Sequence, residues 1–268
     1  MQDKLDDWFV EDFGKGDFTS QSVVDNQFCE ARVTGGPGII SGLGIVCDLL
    51  ERHNIKFITN YRDGDLINSN LIITLKGKAH DILATERLLL NILSHFSGIS
   101  THTNKIVEIA KTANSGIQIL ATRKTLPGLR ELEKEAVVHG GGAAHRMRLD
   151  DAILIKDNHL KLSKSIEESI KLSREKHPDL MLEVEADNEG QVIEIAKCGA
   201  DRVMLDNFTP KEAAKTIKKL KQFSNIEVEI SGGVTIDNVA DYAEHADFIS
   251  LGSLTMSSKP VDFSLHVI

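Results

Sequence analysis

Cysteine is scarce: Cys29, Cys47 and Cys198 are the only three in 268 residues. An odd, scattered set forms neither a disulfide framework nor a metal-ligand spacing, so each reads as a packing residue. Long apolar runs are missing too, and nothing approaches the roughly 20 residues that span a bilayer. The opening Met1-Gln2-Asp3-Lys4-Leu5-Asp6-Asp7 is acidic rather than signal-like, which makes the expected location cytoplasmic. Basic charge is in deficit, with 31 Lys and Arg against 40 Asp and Glu and a net charge of −9. That balance argues against a nucleic-acid binder and makes any local cluster of cations informative. Neither nucleotide fingerprint is present: Gly36, Gly38 and Gly42 miss the dinucleotide spacing, and no Lys-Ser/Thr pair follows a glycine loop.

What is present is ordinary globular material, 41 % hydrophobic and 26 % charged. The length suits one large α/β unit, or a small domain joined to a barrel. Up to about Thr101 the pattern is mixed. Short strands are expected at Ala31–Val33 and Leu71–Leu75, with helices over Leu43–His53 and from about Ala79 through Leu93. Together they predict a small α+β domain. From Ile117 onward strand, loop and helix alternate, with strands at Ile117–Leu120, Ala152–Ile155, Leu180–Glu185, Arg202–Leu205, Ile226–Ser231 and Phe248–Leu251. Helix-length segments fill the later gaps, over Ser163–Lys176, Glu189–Cys198, Pro210–Gln222 and Asp237–His245. Such alternation means a parallel sheet, either doubly wound or closed into a barrel. Polar residues follow every strand, which favours a barrel with its site at that mouth. Only about six strands can be counted, so the barrel is expected to be incomplete.

Three groups of residues stand at those strand ends. The cations Arg123, Lys124, His145, Arg146 and Lys156, with Arg148 nearby, fall in one short stretch of an acidic chain. Guanidinium groups grip carboxylates with two prongs, so this set suits a substrate with several carboxylates; a solvated basic face is the plainer alternative. The acids are Glu183, Glu185, Asp206 and Glu229. Alternation in Leu182-Glu183-Val184-Glu185 puts both glutamates on one face, where charge requires cations or a metal. Carboxylate oxygens suit magnesium brought in on a pyrophosphate, although a structural ion-pair network explains Glu183 or Glu229 equally well. Ser231-Gly232-Gly233 and Gly252-Ser253 end the last two strands, and such loops cradle phosphate in many barrels.

Three stretches carry a family likeness: Thr122-Arg123-Lys124-Thr125-Leu126-Pro127-Gly128-Leu129-Arg130, Gly140-Gly141-Gly142-Ala143-Ala144-His145-Arg146 and Leu154-Ile155-Lys156-Asp157-Asn158-His159. They resemble the quinolinate phosphoribosyltransferases. The likeness extends over nearly the whole chain, through Glu11–Ser20, Glu86–Asn91, Ser97–Ile99, Glu183–Glu185, Met204–Asn207 and Ser231–Gly233. The resemblance implies an α/β sandwich domain over 1–101, completed by 260–268, and an incomplete α/β barrel over 102–259. It further implies that Arg123, His145, Arg146 and Lys156, beside Thr122, hold the quinolinate carboxylates. Arg87 would reach the neighbouring subunit's site in a homodimer. Lys124, Glu185 and Asp206 would handle phosphoribosyl pyrophosphate with magnesium, and Ser231, Gly232, Gly233, Gly252 and Ser253 would receive its 5′-phosphate. No other organic cofactor is implied, and neither nucleic acid nor membrane is an expected partner.

Two positions depart from the family pattern. Ala121 stands where aspartate is usual, and Arg148 where a small residue is common. Three other readings stay open at this point: a paralogue acting on a different aromatic acid, a non-catalytic sensor on the same barrel, and a salvage enzyme for nicotinate. Lys156-Asp157-Asn158-His159 and the joint presence of Lys124, Glu185 and Asp206 favour the quinolinate enzyme.

Overall fold

The computed structural model describes residues 2–268. It separates into two units: one holds the chain up to His102 with Glu135–Gly141 and Ser258–Ile268, the other Thr103–Lys134 and Gly142–Ser257.

The first unit starts with α1 (Gln2–Phe13), α2 (Phe18–Val23), β1 (Phe28–Gly35), α3 (Leu43–Arg52), β2 (Lys56–Ile58) and β3 (Leu71–Lys78). The Asp17 carboxylate caps α2 by accepting from the Ser20 amide at 3.0 Å. Antiparallel pairing sets Ala31 of β1 opposite Leu75 of β3, and Val33 opposite Ile73. All four are buried, so alternation along each strand builds one apolar face. Next comes α4 (Ala79–Ala113), which runs twenty residues beyond the expected end at Leu93. The reason is visible in Phe96, Ile99, Ile106, Val107 and Ala110, which continue the helical spacing and are buried. Ser97 and Ser100 made this stretch look polar. Both are buried because they serve backbone: Ser41 N donates to Ser97 Oγ at 3.0 Å, and Ser100 Oγ donates to Ile39 O at 2.7 Å.

The chain continues with β4 (Gln118–Ala121), α5 (Arg130–His139), which belongs to the second unit up to Lys134, β5 (Ala143–Ala144), β6 (Ile153–Ile155), α6 (Asp157–Leu162), α7 (Ile166–Lys176) and β7 (Leu182–Ala186). It continues with α8 (Glu189–Cys198), β8 (Arg202–Asp206), α9 (Pro210–Leu220), β9 (Glu227–Ser231), α10 (Val239–Ala243), β10 (Phe248–Leu251) and α11 (Ser253–Met256). Helix starts are locally encoded. Ser165 and Asn188 accept from the amides of Glu168 and Gln191, each at 3.1 Å. Thr209 and Glu212 cap each other around Pro210. Seven strands pair in the order β5-β4-β10-β9-β8-β7-β6, every pairing parallel. β5 and β6 are the two ends of this list and do not pair with each other, so the barrel is incomplete, as expected. The last strand, β11 (Phe263–Val267), returns to the first unit and pairs antiparallel with β1, giving the sheet order β11-β1-β3-β2. Glu135–Gly141 joins the first unit, whereas the sequence reading put it in the barrel. Among the described residues, no helix is long and apolar enough to cross a membrane.

Candidate active site

A parallel sheet delivers the carboxyl ends of all its strands to one side, and here that side opens into a cavity of about 700 Å³. Thr122, Arg123 and Lys124 enter it after β4, His145 and Arg146 after β5, and Lys156 after β6. Glu185 comes from β7, Asp206 from β8, Ser231, Gly232 and Gly233 from the end of β9, and Gly252 and Ser253 follow β10. Every site residue read from the sequence therefore lines this cavity except Arg87, which is exposed on α4 in the first unit.

Arg123 Nε is buried and has no hydrogen-bond partner among the described residues. Burial and the neighbouring Arg123 guanidinium depress the Arg146 pKa, so two like charges share a partly dehydrated space. Arg146 is aimed by Nη1, which donates to Ala152 O at 2.9 Å. Across the cavity, Lys156 Nζ pairs with Glu185 Oε2. Glu185, Asp206 and Asp187 each offer an oxygen within 4.8 Å of the others. Burial first, then the Glu185 carboxylate, raises the Asp206 pKa, with Lys156 and Lys124 working against them.

His145 lines the cavity and is tied to buried acids. Its Nε2 lies 2.8 Å from Glu183 Oε2 and 3.4 Å from Glu229 Oε2, and its Nδ1 accepts from the Arg146 amide at 2.9 Å. Both ring nitrogens therefore have partners within the protein. Burial works against an imidazolium, but the hydrogen bonds and charges of Glu183 and Glu229 outweigh it and raise the His145 pKa to about 9.

Beneath the ring, burial pushes Glu183 up to about 7, while its hydrogen bond to His145 pulls the other way. For Glu229 burial is the largest single effect, but the hydrogen bond and charge of His145, with Ser250 and Arg202, together outweigh it and leave the pKa lowered. Arg202 supports this pair from below: its Nη1 is 3.4 Å from Glu229 Oε2 and its guanidinium carbon sits 3.7 Å over the Phe248 ring. Glu183 and Glu229 thus have His145 and Arg202 as partners rather than lysines. Arg148 points away from the chemistry; it is exposed, pairs with Asp150 at 3.3 Å and does not line the cavity. Ala121 is fully buried in β4 opposite Ala144 and Leu251.

The glycines are explained by crowding. A Cβ on Gly252 would stand 2.6 Å from Lys124 Cδ, so the missing side chain leaves room for that lysine. Gly232 has φ +79°, and a Cβ there would lie 2.3 Å from Asn207 Oδ1. Gly232→Ala is expected to destabilise the protein by about 1–3 kcal/mol, read as a lower urea midpoint; an unchanged midpoint would show that the loop adapts. Asp187 escaped the sequence reading. Its signal was there, since Glu183, Glu185 and Asp187 follow one another at steps of two, Asp187 lying just past the end of β7.

Fold and site together define an incomplete α/β-barrel protein with a cavity at the strand ends, cationic on one side and acidic on the other. Comparison with known proteins narrows the class. The model of the quinolinate phosphoribosyl transferase N-terminal domain matches residues 17–97, and that of the C-terminal domain matches 99–266. The probable nicotinate-nucleotide pyrophosphorylase (carboxylating) of Archaeoglobus fulgidus is 42 % identical over 241 residues, covering 88 % of this chain and 93 % of that protein. Its namesake in Bacillus subtilis is 40 % identical over 270 residues, covering 98 % and 92 %. The crystal structure of nicotinate-nucleotide pyrophosphorylase from Ehrlichia chaffeensis superposes with a TM-score of 0.94 at 31 % identity, covering 100 % of this chain and 98 % of that one. The chain belongs to the quinolinate phosphoribosyltransferase family.

Proposed function

We propose that this enzyme joins quinolinate, pyridine-2,3-dicarboxylate, to phosphoribosyl pyrophosphate, releasing pyrophosphate and carbon dioxide and leaving nicotinate mononucleotide for NAD biosynthesis. The observation that carries the reading is the meeting of Arg123, Arg146 and Lys156 with Glu185 and Asp206 in one cavity. Two adjacent carboxylates on a flat ring match two guanidiniums and an ammonium. The acids suit the other partner, whose ribose gains positive charge as pyrophosphate departs.

The ring nitrogen of quinolinate attacks the anomeric carbon, forming the C–N bond as the bond to pyrophosphate oxygen breaks. Glu185 and Asp206 favour the positive charge that builds on the ribose, and Lys124 favours the negative charge on the leaving group, both by fixed electrostatics. Alkylation makes the pyridine ring cationic. The bond to the 2-carboxylate then breaks, carbon dioxide leaves, and the electron pair stays on the ring carbon until a proton replaces it. Positioning is what this step asks of Arg123 and Arg146.

The oxygen donors of Glu185, Asp206 and Asp187, gathered within 4.8 Å of one another, fit a hard divalent cation, and these residues would hold magnesium arriving with the pyrophosphate. When bound, magnesium supplies positive charge to the departing pyrophosphate. Ser231, Gly232, Gly233, Gly252 and Ser253 would receive the 5′-phosphate. Arg87, exposed on α4, would complete the site of a partner subunit in a homodimer. Both substrates are soluble small molecules of the cytoplasm, where the reading places the enzyme.

Product analysis tests the activity. Nicotinate mononucleotide should accumulate from quinolinate, phosphoribosyl pyrophosphate and magnesium, and nicotinate should replace quinolinate at less than one-hundredth of the rate. Equal use of nicotinate would make this a salvage enzyme instead.

A further inference from the structure

A lysine on α5 that the sequence reading passed over is 1 % exposed and ranks among the largest fully buried side chains. Buried lysines are rare and require partners. Lys134 Nζ donates to His145 O at 2.7 Å and to Arg146 O at 2.8 Å. The first of these carbonyls belongs to the same peptide unit whose N–H, that of Arg146, is bonded by His145 Nδ1. The backbone is thus held on both sides of the Arg146 Cα, from below by an ammonium and from the side by an imidazole. We propose that Lys134 is a positioning residue for the anion site, fixing the peptides around Arg146 so that its guanidinium meets a carboxylate of the substrate. The inference rests on the quinolinate reading for the identity of that substrate.

The charge of Lys134 belongs to the same design. Burial, then Arg130 and Arg123, with Arg146 adding to them, push its pKa down to about 8, and Asp151 is the acid that works against them. His145, bonded through its carbonyl, is the neighbouring titratable group, and Glu183 and Glu229 raise its pKa to about 9. A bound dianion relieves this crowding of cations and favours the protonated lysine. By linkage the protonated lysine favours the dianion, so quinolinate affinity should be highest below about pH 8 and fall as the pH rises through that value.

Calorimetric titration of quinolinate into the full-length protein, with KM for both substrates, provides the test, using Lys134→Met and Lys134→Gln. Methionine fills the space without a donor, and glutamine restores a neutral one. We expect the methionine variant to bind quinolinate at least twentyfold more weakly at pH 7 with the KM for phosphoribosyl pyrophosphate changed less than threefold. Glutamine should recover part of that loss. Wild-type affinity should fall at least fivefold between pH 7 and pH 9.5, and both variants should lose this dependence. Methionine binding like wild type, or equal losses for both substrates, would overturn the inference. If neither variant folds, the wild-type profile decides alone, and a flat profile overturns it. Wild-type protein that ignores quinolinate would remove the substrate reading and this inference with it; wild type that binds while the variants bind equally well removes the inference only.

Discussion

Lys124→Ala is expected to lower kcat at least a hundredfold, about 2.7 kcal/mol of lost transition-state stabilisation, while the far-ultraviolet circular dichroism stays that of the wild type. The side chain passes over Gly252 into the cavity, and its cost of removal falls on the departing pyrophosphate rather than on folding. Arg146→Ala should match it in kcat/KM but differ in kind. This guanidinium is needed to hold the carboxylated ring, so the loss should appear mainly as a raised KM for quinolinate. Its removal also leaves Ala152 O without its donor, which should cost about 1–3 kcal/mol of stability and lower the urea midpoint. Near-normal rates in either purified variant would refute the roles given to these residues.

Arg87 supports a second large effect. It is the one expected site residue that lies outside the cavity, exposed on α4. Arg87→Ala alone should be nearly inactive, as Lys124→Ala alone should be. Mixed under conditions of subunit exchange, the two inactive proteins should recover about a quarter of the wild-type rate, since at equal mixing half the dimers are hybrids with one intact site in two. Absence of recovery, with exchange proven by native mass spectrometry, would place Arg87 outside catalysis or within the site of its own chain.

Much of this arrangement is legible in the residue order because it rests on local rules. The strands β7 to β10 announce themselves as short segments rich in apolar residues, and the helices α7, α8 and α9 begin after Ser165, Asn188 and Thr209, whose side chains satisfy the first free amides. The site residues follow those strands directly, so locating the strand ends locates the site. What stayed hidden depends on partners distant in the chain. β5 is two alanines beside three glycines, too short for any periodicity to show. The far half of α4 carries Ser97 and Ser100, which read as polar until backbone donors and acceptors from residues 39–41 are brought against them. Lys134 sits at a position that reads as helix surface, and only the two carbonyls of His145 and Arg146 explain why it is buried. The partners of His145 were hidden for a related reason: its neighbours in sequence are cations, but its partners in space are Glu183 and Glu229.

The most direct measurement follows carbon dioxide from quinolinate labelled at the 2-carboxylate. Labelled gas should be released in step with pyrophosphate, one for one, only when phosphoribosyl pyrophosphate and magnesium are both supplied. Label released without phosphoribosyl pyrophosphate, or pyrophosphate released while the label stays in solution, would contradict the coupling of ring alkylation to loss of the carboxylate.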